Sequence, residues 1–544
     1  MKRKFLLIIL LTTIVLPVFA QHYFWVGFTD KKNSPYSISN PHEFLSERAI
    51  QRRDRQQIEI DSLDIPVNKN YIKEVIDLGV EFVHSSKWLN GITVKVTIDS
   101  FEYKAKQLAF VKEVQLTKSA GTKSAFNKWE TEMDSESEPI DTSYYGLSVS
   151  QVSTLNGQFL HNNGYRGQGM HIAILDGGFL NVDIYPAFDS MRANGQILGT
   201  KDFVDPKSRF YSTHYHGMSV LSCMGGNIPG QLIGTAPEAS YWLLRSEDTG
   251  SEYLIEEDNW VAAAEFADSV GCDVINSSLG YTTFDDPGMD HTYSDLDGKT
   301  TRVTRGANIA ATRGMLVFAS AGNEGNKAWK YIGAPSDGEN VIGVGAMNKD
   351  TVAAPFTSFG PAFGGQTKPN VSAIGWNTYM QLSNGTLGYA NGTSFSSPVM
   401  AGMVACYWQS VRHVPAAEIK KTIEKFSHLY ANPDVRLGYG VPDFKKAWWN
   451  YFPFSVSDFK ENGSWSVFPN PVAEKLIIQK IRSSMGATTE LCIFSVEGKM
   501  LMKKVVPGEN QIVLEGLNQL PAGLLILKIS TEGETETFKL SKIQ

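Results

Sequence analysis

The chain has 544 residues, of which 42% are hydrophobic and 20% charged, and its formal net charge is −7. This composition is ordinary for globular proteins, and the length allows several domains. An acidic chain without a long block of like charge argues against a nucleic-acid partner, because nucleic-acid binding needs a basic surface.

The N-terminus predicts an export signal. Three basic residues at 2–4 precede an apolar run from 5 to 18, and Ala20 supplies the small residue that a signal peptidase prefers. A membrane anchor is the alternative, but the apolar run is short for one. We therefore expect residues 1–20 to be removed by cleavage before Gln21.

Residues 21–118 mix strand-like runs with a basic helical stretch at 43–55. A polar stretch then runs from Thr117 to Ser143 without hydrophobic periodicity, which indicates an exposed linker. We assign residues 119–143 to that linker. The composition therefore predicts a separate N-terminal module.

Residues 144–450 alternate apolar runs with amphipathic helical stretches. The run 170–175 is typical of a strand buried on both faces, and helical stretches near 260–267 and 302–313 precede further apolar runs. This alternation predicts a parallel sheet covered by helices on both faces. Functional sites in such sheets form at the carboxyl ends of the strands. The polar residues expected at those ends are Asp176, Asn276 and Asn323.

Three short segments carry residue types suited to nucleophilic catalysis. Asp176 ends an apolar strand, His216 precedes a glycine and a helical stretch, and Ser394 lies on a Gly-Thr-Ser turn that opens a helix. Peptide hydrolysis needs a nucleophile, a base and a group that orients the base. Each segment alone is more typical of a turn or a structural histidine. Their combination on a strand–helix alternation predicts a catalytic triad.

These segments resemble the active-site signatures of the subtilisin-like serine proteases (subtilases, peptidase family S8), in the Asp, His, Ser order of that family. The resemblance extends to 273–280, which in the family lines the substrate cleft, and to 319–325, which carries the oxyanion asparagine. In all it covers residues from about 160 to 447. The other matching segments are 234–239, 356–361, 368–372 and 438–443.

The resemblance implies an α/β fold with a subtilisin-like doubly wound parallel sheet, and it implies a serine endopeptidase. Asp176 is then expected to orient His216, which takes the hydroxyl proton of Ser394 before an acyl-enzyme forms. The amide of Asn323 is expected to donate to the oxyanion, and Tyr281 to narrow the first substrate pocket. The residues expected to bind the substrate are Ser278, Leu279, Gly280, Ala321 and Gly322.

The chain departs from the family pattern beside two of these residues. After His216 it has Gly-Met-Ser where the family usually has Gly-Thr-His, and after Ser394 it has Phe-Ser where the family usually has Met-Ala. Both changes leave the reacting groups in place and bear on substrate preference. His214 is a second histidine nearby, and we assign His216 because the catalytic histidine of the family directly precedes the glycine.

The N-terminal module resembles the propeptide of related enzymes, through the segments 44–53 and 85–91. A propeptide of this kind assists folding and blocks the cleft. The alternative is an accessory binding domain that stays attached. We prefer the propeptide because an exposed linker adjoins the module, and such segments are readily cleaved.

The C-terminal section, 464–544, follows a second linker at 451–463. Its Val-Phe-Pro-Asn-Pro-Val segment at 467–472 and the Lys-Leu pair at 539–540 resemble the sorting domain of the type IX secretion system of Gram-negative bacteria. Turn residues between short alternating runs predict a small β-sandwich. A carbohydrate-binding or adhesive β-domain is the alternative.

Calcium is common in this family, but no acidic cluster in the sequence has a ligand spacing that defines a metal site. We therefore assign no cofactor and leave calcium as an open expectation. Cys223 and Cys406 lie in apolar stretches and are expected to be small buried side chains. The spacing of the four cysteines indicates neither a disulfide framework nor a zinc site.

Together these features predict a preproenzyme that is exported through the periplasm of a Gram-negative bacterium and then secreted or held at the cell surface. Its expected partners are protein or peptide substrates, its own propeptide as inhibitor, and the type IX secretion machinery. A non-catalytic surface adhesin on a protease scaffold is an alternative, but the presence of all four chemical residues argues against it. A maturation protease with one protein target is a further alternative.

Overall fold

The computed structural model describes residues 21–119, 144–451, 464–480, 488–496, 498–531 and 534–543. The predicted signal peptide, residues 120–143 of the first predicted linker and residues 452–463 of the second lie outside these ranges. The chain divides into two compact units, Met1–Phe444 and Lys445–Gln544. Within the described ranges, no helix combines the length and the apolar character needed to cross a bilayer.

The section predicted as a propeptide is an α+β module. Its antiparallel sheet has the strand order β2-β3-β1-β4, and α2 and α3 share its hydrophobic core with β1 and β3. Its elements are β1 (His22–Phe28), α1 (Glu47–Gln56), α2 (Lys69–Ile76), β2 (Glu81–Ser86), β3 (Gly91–Val96), α3 (Phe101–Ala105) and β4 (Val111–Lys118).

The basic helix α1 begins four residues later than the sequence predicts. Ser46 is its N-cap, and the Ser46 hydroxyl accepts a hydrogen bond from the Ala49 backbone N–H at 3.2 Å. The helix ends at Gln56, and the C-cap residue Gln57 has a left-handed φ of 57°. The preceding residues Pro41–Glu43 form a separate 3₁₀ turn. The cap at Ser46 therefore determines the start of the helix, because its side chain satisfies an otherwise unpaired N–H.

The remainder of the first unit contains a large parallel sheet and its covering helices. The elements before the strand that carries Asn276 are α4 (Val149–Ser153), α5 (Gln158–Asn162), β5 (His171–Asp176), α6 (Asp189–Ala193), β6 (Ile197–Asp202), α7 (His216–Gly225), β7 (Asn227–Ile228), β8 (Leu232–Ile233), β9 (Ser240–Arg245) and α8 (Ile255–Ser269). Those that follow are β10 (Val274–Ser277), α9 (Arg302–Thr312), β11 (Leu316–Ser320), β12 (Ile342–Met347), β13 (Val371–Ile374), β14 (Thr378–Gln381), β15 (Leu387–Ala390), α10 (Thr393–Ser410) and α11 (Ala416–Lys425). Helix α12 (Phe444–Tyr451) begins at the last residue of this unit, and its other residues belong to the second unit.

The large sheet has seven strands in the order β13-β12-β11-β10-β5-β9-β6, and neighbouring strands run parallel. After β5 the chain goes to one edge of the sheet and returns through β9, and it then continues on the other side of β5. This reversal creates a switch point at the carboxyl end of β5, where doubly wound folds bind their ligands. Asp176 is the last residue of that strand.

Both faces of the sheet are buried, as the apolar run 170–175 predicts. Ala173 and Leu175 share a core with residues of α8 and α9. Ile172 and Ile174 alternate with them and are also fully buried. Helices α7 and α10 pack against each other and against the sheet. The predicted α/β architecture is confirmed, and all four cysteines are buried and free of disulfides.

The second unit contains the predicted β-sandwich. Its antiparallel sheets have the orders β16-β17-β20 and β19-β18-β21-β22, and residues from both sheets form one hydrophobic core. The strands are β16 (Trp465–Phe468), β17 (Leu476–Lys480), β18 (Thr488–Ser495), β19 (Met500–Pro507), β20 (Gln511–Leu514), β21 (Gly523–Thr531) and β22 (Glu534–Lys542).

Candidate active site

Asp176 and His216 form a buried hydrogen-bonded pair. His216 is the first residue of α7, and its Nδ1 lies 2.8 Å from Oδ1 of Asp176 at the end of β5. The Gly177 backbone N–H donates to the same carboxylate oxygen at 2.7 Å. A Cβ on Gly217 would lie 2.8 Å from the Cβ of Asp176, so the glycine allows α7 to approach β5 closely. Because Asp176 contacts Nδ1, Nε2 is the other ring nitrogen of His216.

Ser394 lies in the first turn of α10, where helix N–H groups favour negative charge. Its hydroxyl donates to the Ser278 carbonyl at 3.3 Å, and the Ser278 hydroxyl donates to the Ser394 carbonyl at 2.8 Å. The Asn276 side-chain amide in turn donates to the Ser278 hydroxyl at 3.1 Å. These reciprocal bonds attach the start of α10 to the segment that follows β10.

The side chain of Asn323 is oriented by Thr393, the residue before Ser394. Its Oδ1 accepts hydrogen bonds from the backbone N–H and the hydroxyl of Thr393, each at 2.9 Å. Because an N–H can only donate, the oxygen must face Thr393 and the amide nitrogen must point away from it. A Cβ on Gly392 would lie 3.7 Å from that nitrogen, so the amide nitrogen lies near the turn that carries Ser394.

The five residues expected to bind substrate follow two neighbouring strands. Ser278, Leu279 and Gly280 follow β10, Ala321 and Gly322 follow β11, and these strands pair in parallel. The Ser320 hydroxyl donates to the Leu279 carbonyl at 3.3 Å. Position 322 requires glycine, because its φ of +106° is unfavourable for a residue with a side chain. The two segments therefore lie side by side at the carboxyl edge of the sheet.

Of the residues that depart from the family pattern, Phe395 lies against the His216 ring, and Ser219 contacts β14 instead. The Phe395 ring centroid lies 5.9 Å from that of His216. The Ser219 hydroxyl donates to the Gln381 carbonyl at 2.8 Å, beneath α7. The second histidine, His214, accepts a hydrogen bond at its Nδ1 from the His216 backbone N–H at 3.3 Å. The hydrogen bond to the buried carboxylate comes from His216.

The N-terminal module docks on the large-sheet domain through buried charges. Asp268, in the last turn of α8, receives hydrogen bonds from Arg52 at 2.5 Å, Arg53 at 2.8 Å and Lys87 at 2.9 Å. Burial alone would raise the pKa of Asp268. The three cations outweigh this effect and lower the pKa well below its usual range. The carboxylate is therefore charged and tightly paired in this interface.

The loop between β2 and β3 adds a second set of contacts with α8. The Glu265 carboxylate accepts hydrogen bonds from the Ser86 hydroxyl at 2.5 Å and from the backbone N–H groups of Lys87 at 2.8 Å and Trp88 at 3.0 Å. The Trp88 side chain is buried in the core that contains α8 and α9. The module therefore covers α8 with both polar and apolar contacts.

Among the described residues, one group of three carboxylates has the proximity that a metal site needs. Oxygens of Glu247, Glu252 and Glu256 lie within 4.8 Å of one another. Calcium takes six to eight oxygen ligands, and Tyr281 donates to one Glu247 oxygen at 2.9 Å. Three carboxylates alone do not constitute a calcium site. Tyr281, expected to narrow the pocket, is itself fully buried.

Sequence reasoning missed several residues that shape the site. Thr393 orients Asn323, and it could have been noticed because it directly precedes the predicted nucleophile. Glu247 and Glu252 lie in an acidic stretch, but their proximity to Tyr281 arises only in the folded chain. No local pattern in the sequence distinguishes these carboxylates from a solvated acidic loop.

Three sections of the chain match known families. Residues 167–440, half of the chain, match the subtilase family, Peptidase S8. Residues 23–132 match the Peptidase S8 propeptide domain of Bacteroidota. Residues 466–543 match the secretion system C-terminal sorting domain. These matches agree with the resemblances drawn from the catalytic, N-terminal and C-terminal segments.

Curated relatives of this chain are named as subtilisins or as a serine protease. Subtilisin NAT from Bacillus subtilis subsp. natto is 28% identical over 296 residues, 53% of this chain and 68% of that protein. Subtilisin from Bacillus pumilus is 29% identical over 261 residues, 47% of this chain and 82% of that protein. Serine protease AprX from Bacillus subtilis is 28% identical over 332 residues, 56% of this chain and 69% of that protein. The chain therefore belongs to the subtilase family of serine proteases, with an S8 propeptide domain and a C-terminal sorting domain for type IX secretion.

Proposed function

We propose that the mature protein is a secreted endopeptidase that hydrolyses peptide bonds through Asp176, His216 and Ser394. The observation that carries the proposal is the buried 2.8 Å contact between His216 Nδ1 and Asp176 Oδ1. The carboxylate holds the imidazole so that its Nε2 takes the proton of the Ser394 hydroxyl. The serine oxygen attacks the scissile carbonyl, the leaving amine receives the proton, and water then releases the acyl group.

The oxyanion of the tetrahedral intermediate is bound by the amide of Asn323 and the backbone N–H of Ser394. Support comes from the two hydrogen bonds of Thr393, which hold the Asn323 amide before substrate arrives. A hydrogen-bond donor that is already oriented stabilises the transition state more, because it does not have to reorganise during the reaction.

The substrate chain binds in an extended conformation between residues 278–280 and residues 321–322. The proposal is supported by the parallel pairing of β10 and β11, which brings the two segments to one edge of the sheet. Main-chain hydrogen bonds bind an extended peptide largely independently of its sequence, and side-chain pockets then add selectivity. The substrates are therefore unfolded or flexible segments of proteins, and peptides.

The propeptide, 21–118, blocks this site before maturation, and cleavage in the linker 119–143 releases the catalytic domain, 144–450. The buried contacts of Asp268 and Glu265 with the module support stable docking on that domain. The C-terminal part, 464–544, follows the linker 451–463 and is the segment that the type IX machinery binds.

A serine-directed fluorophosphonate probe tests the proposed nucleophile. The matured wild-type protein should be labelled and should digest casein, and Ser394→Ala should do neither. Ser396→Ala is the matched control, because Ser396 lies on the same helical turn and donates only to the Thr393 carbonyl, at 3.0 Å. Labelling that persists in Ser394→Ala would show that another residue is the nucleophile.

A further inference from the structure

Lys118 is the last residue of β4, and the catalytic domain binds its positively charged ammonium group. The Lys118 ammonium lies 3.1 Å from the Asp248 carboxylate and 2.8 Å from the Ser251 hydroxyl. It also lies 5.4 Å from the centroid of the Tyr253 ring, a cation–π distance. The Ser251 hydroxyl donates to Asp248 at 2.7 Å. A carboxylate, a hydroxyl and an aromatic ring therefore surround one ammonium group.

This cation site lies on the chain segment that follows β9, and the start of that segment contacts the end of β5. The segment that contains it begins at the end of β9, where the Ser246 backbone N–H donates to the Asp176 carbonyl at 3.0 Å. The next residue, Glu247, accepts the hydrogen bond of Tyr281, which directly follows Gly280. The segment thus connects the strand that carries the catalytic aspartate to the segment expected to flank the substrate.

The surroundings favour a positive charge. Burial opposes ionisation of Asp248, but the hydrogen bond from Ser251 and the charge of Lys118 lower the pKa of Asp248 to about 2. The three carboxylates of the group formed by Glu247, Glu252 and Glu256 belong to the same stretch of chain. A substrate side chain that enters this site therefore meets negative charge.

We propose that Asp248, Ser251 and Tyr253 form a substrate subsite for a lysine or arginine side chain on the N-terminal side of the scissile bond. Lys118 occupies this subsite in the unprocessed chain. Lys118 directly precedes the linker 119–143, so it lies on the N-terminal side of any bond that is cut within that linker. The inference rests on the proposed endopeptidase function and adds a substrate preference to it.

Matched peptides test the subsite with the mature enzyme at low ionic strength. A single lysine or norleucine is placed in turn at each of several positions before the cleaved bond, and the ratio of kcat/KM for the two peptides is measured. At one position the wild-type ratio should be about threefold to tenfold in favour of lysine, as expected for a partly exposed ion pair with a cation–π contact. In Asp248→Asn the ratio at that position should fall toward one, with the cation–π contact to Tyr253 as the remaining preference.

Two further variants make the test specific. Asp248→Lys should reverse the preference, so that a glutamate peptide is cleaved faster than its lysine counterpart. Asp350→Asn removes an exposed carboxylate after β12, which is separated from β9 by three strands of the sheet, and should leave the lysine ratio unchanged.

The outcomes separate the subsite from the proposed function. If wild type cleaves the peptides with no preference for lysine at any position, the subsite is wrong and the endopeptidase assignment stands. An Asp248→Asn ratio equal to that of wild type would also overturn the subsite. If wild type cleaves none of the peptides and does not react with the fluorophosphonate, the subsite and the proposed function both fail.

Discussion

The side-chain oxygen of Asn323 accepts two hydrogen bonds from Thr393, one from its backbone N–H and one from its hydroxyl. Because Thr393 directly precedes Ser394, one residue couples the proposed oxyanion donor to the proposed nucleophile. The Gly322 backbone N–H also donates to the Thr393 hydroxyl, at 3.2 Å. The side chain of Thr393 therefore holds both the amide and the cleft segment beside it.

Replacement of Asn323 should impair the chemical step more than substrate binding. We expect Asn323→Ala to lower kcat by about 10²–10³ and to leave KM nearly unchanged, because the oxyanion exists only in the transition state and intermediate. Thr393→Val, which keeps the backbone hydrogen bond and the side-chain shape, should lower kcat by about threefold to tenfold. Steady-state kinetics on one peptide measure both effects. A change confined to KM would indicate a structural role for Asn323.

Ser394→Ala should remain attached to its propeptide. Without the hydroxyl, no acyl-enzyme forms, and the tethered linker is then not cut by its own catalytic domain. We expect the purified variant to run as a larger species than mature wild type on a denaturing gel, while Ser396→Ala matures. If Ser394→Ala matures when purified alone, self-processing through this serine is wrong.

Asp268→Asn should loosen the docked propeptide. The substitution leaves Arg52 and Lys87 buried opposite a neutral amide, whereas Arg53 keeps its ion pair with Asp64 at 2.9 Å. Breaking a buried ion pair costs about 3–5 kcal/mol. In the Ser394→Ala chain, amide hydrogen exchange within α1 should accelerate. The matched control is Asp54→Asn, which changes an exposed carboxylate on the same helix. Equal protection of α1 in both variants would contradict a stabilising role of the Asp268 cluster.

Acid should release the propeptide. The pKa of Asp268 is lowered in the docked state. The contribution of Asp268 to the free energy of docking is therefore complete above the ordinary carboxylate pKa of about 4, and it is lost as the pH falls below that value. Burial also lowers the pKa of His84, which lies 2.8 Å from the Asn259 side chain across the interface, so protonation of this imidazole weakens docking too. After correction for the intrinsic exchange rate, which itself falls between pH 5 and pH 3, the amides of α1 should therefore be less protected at pH 3 than at pH 5. Tighter docking at pH 3 would refute this interpretation.

Deletion of residues 464–544 should block export and leave the catalytic domain folded. The deleted residues form their own antiparallel sheets with a separate hydrophobic core, so their loss removes no core residue of the large-sheet domain. We expect the truncated protein in the cell envelope fraction and the full-length Ser394→Ala protein outside the cell. Arrival of the truncated protein outside the cell would contradict the sorting role.

Much of this protein could be predicted locally. The α/β domain and the proposed triad were predicted from the apolar run 170–175, the helical spacing within 260–267 and the residue types around Ser394. All three are features of neighbouring residues in the sequence. The start of α1 was placed too early because the chain before the Ser46 cap forms a separate 3₁₀ turn at Pro41–Glu43. Sequence composition reports where a helix can form, whereas a single capping hydrogen bond determines where it begins.

Only the tertiary structure decided which of these residues meet. His216 contacts an aspartate 40 residues earlier, and Asn323 contacts a threonine 70 residues later. Lys118, which the sequence places at the edge of a polar linker, reaches Asp248 across 130 residues. Such contacts depend on the strand order and on the packing of α7, α8 and α10. Periodicity in the sequence predicts neither the strand order nor the packing of the helices. The residue types of the chemistry are therefore local information, and their distances and partners are set by the fold.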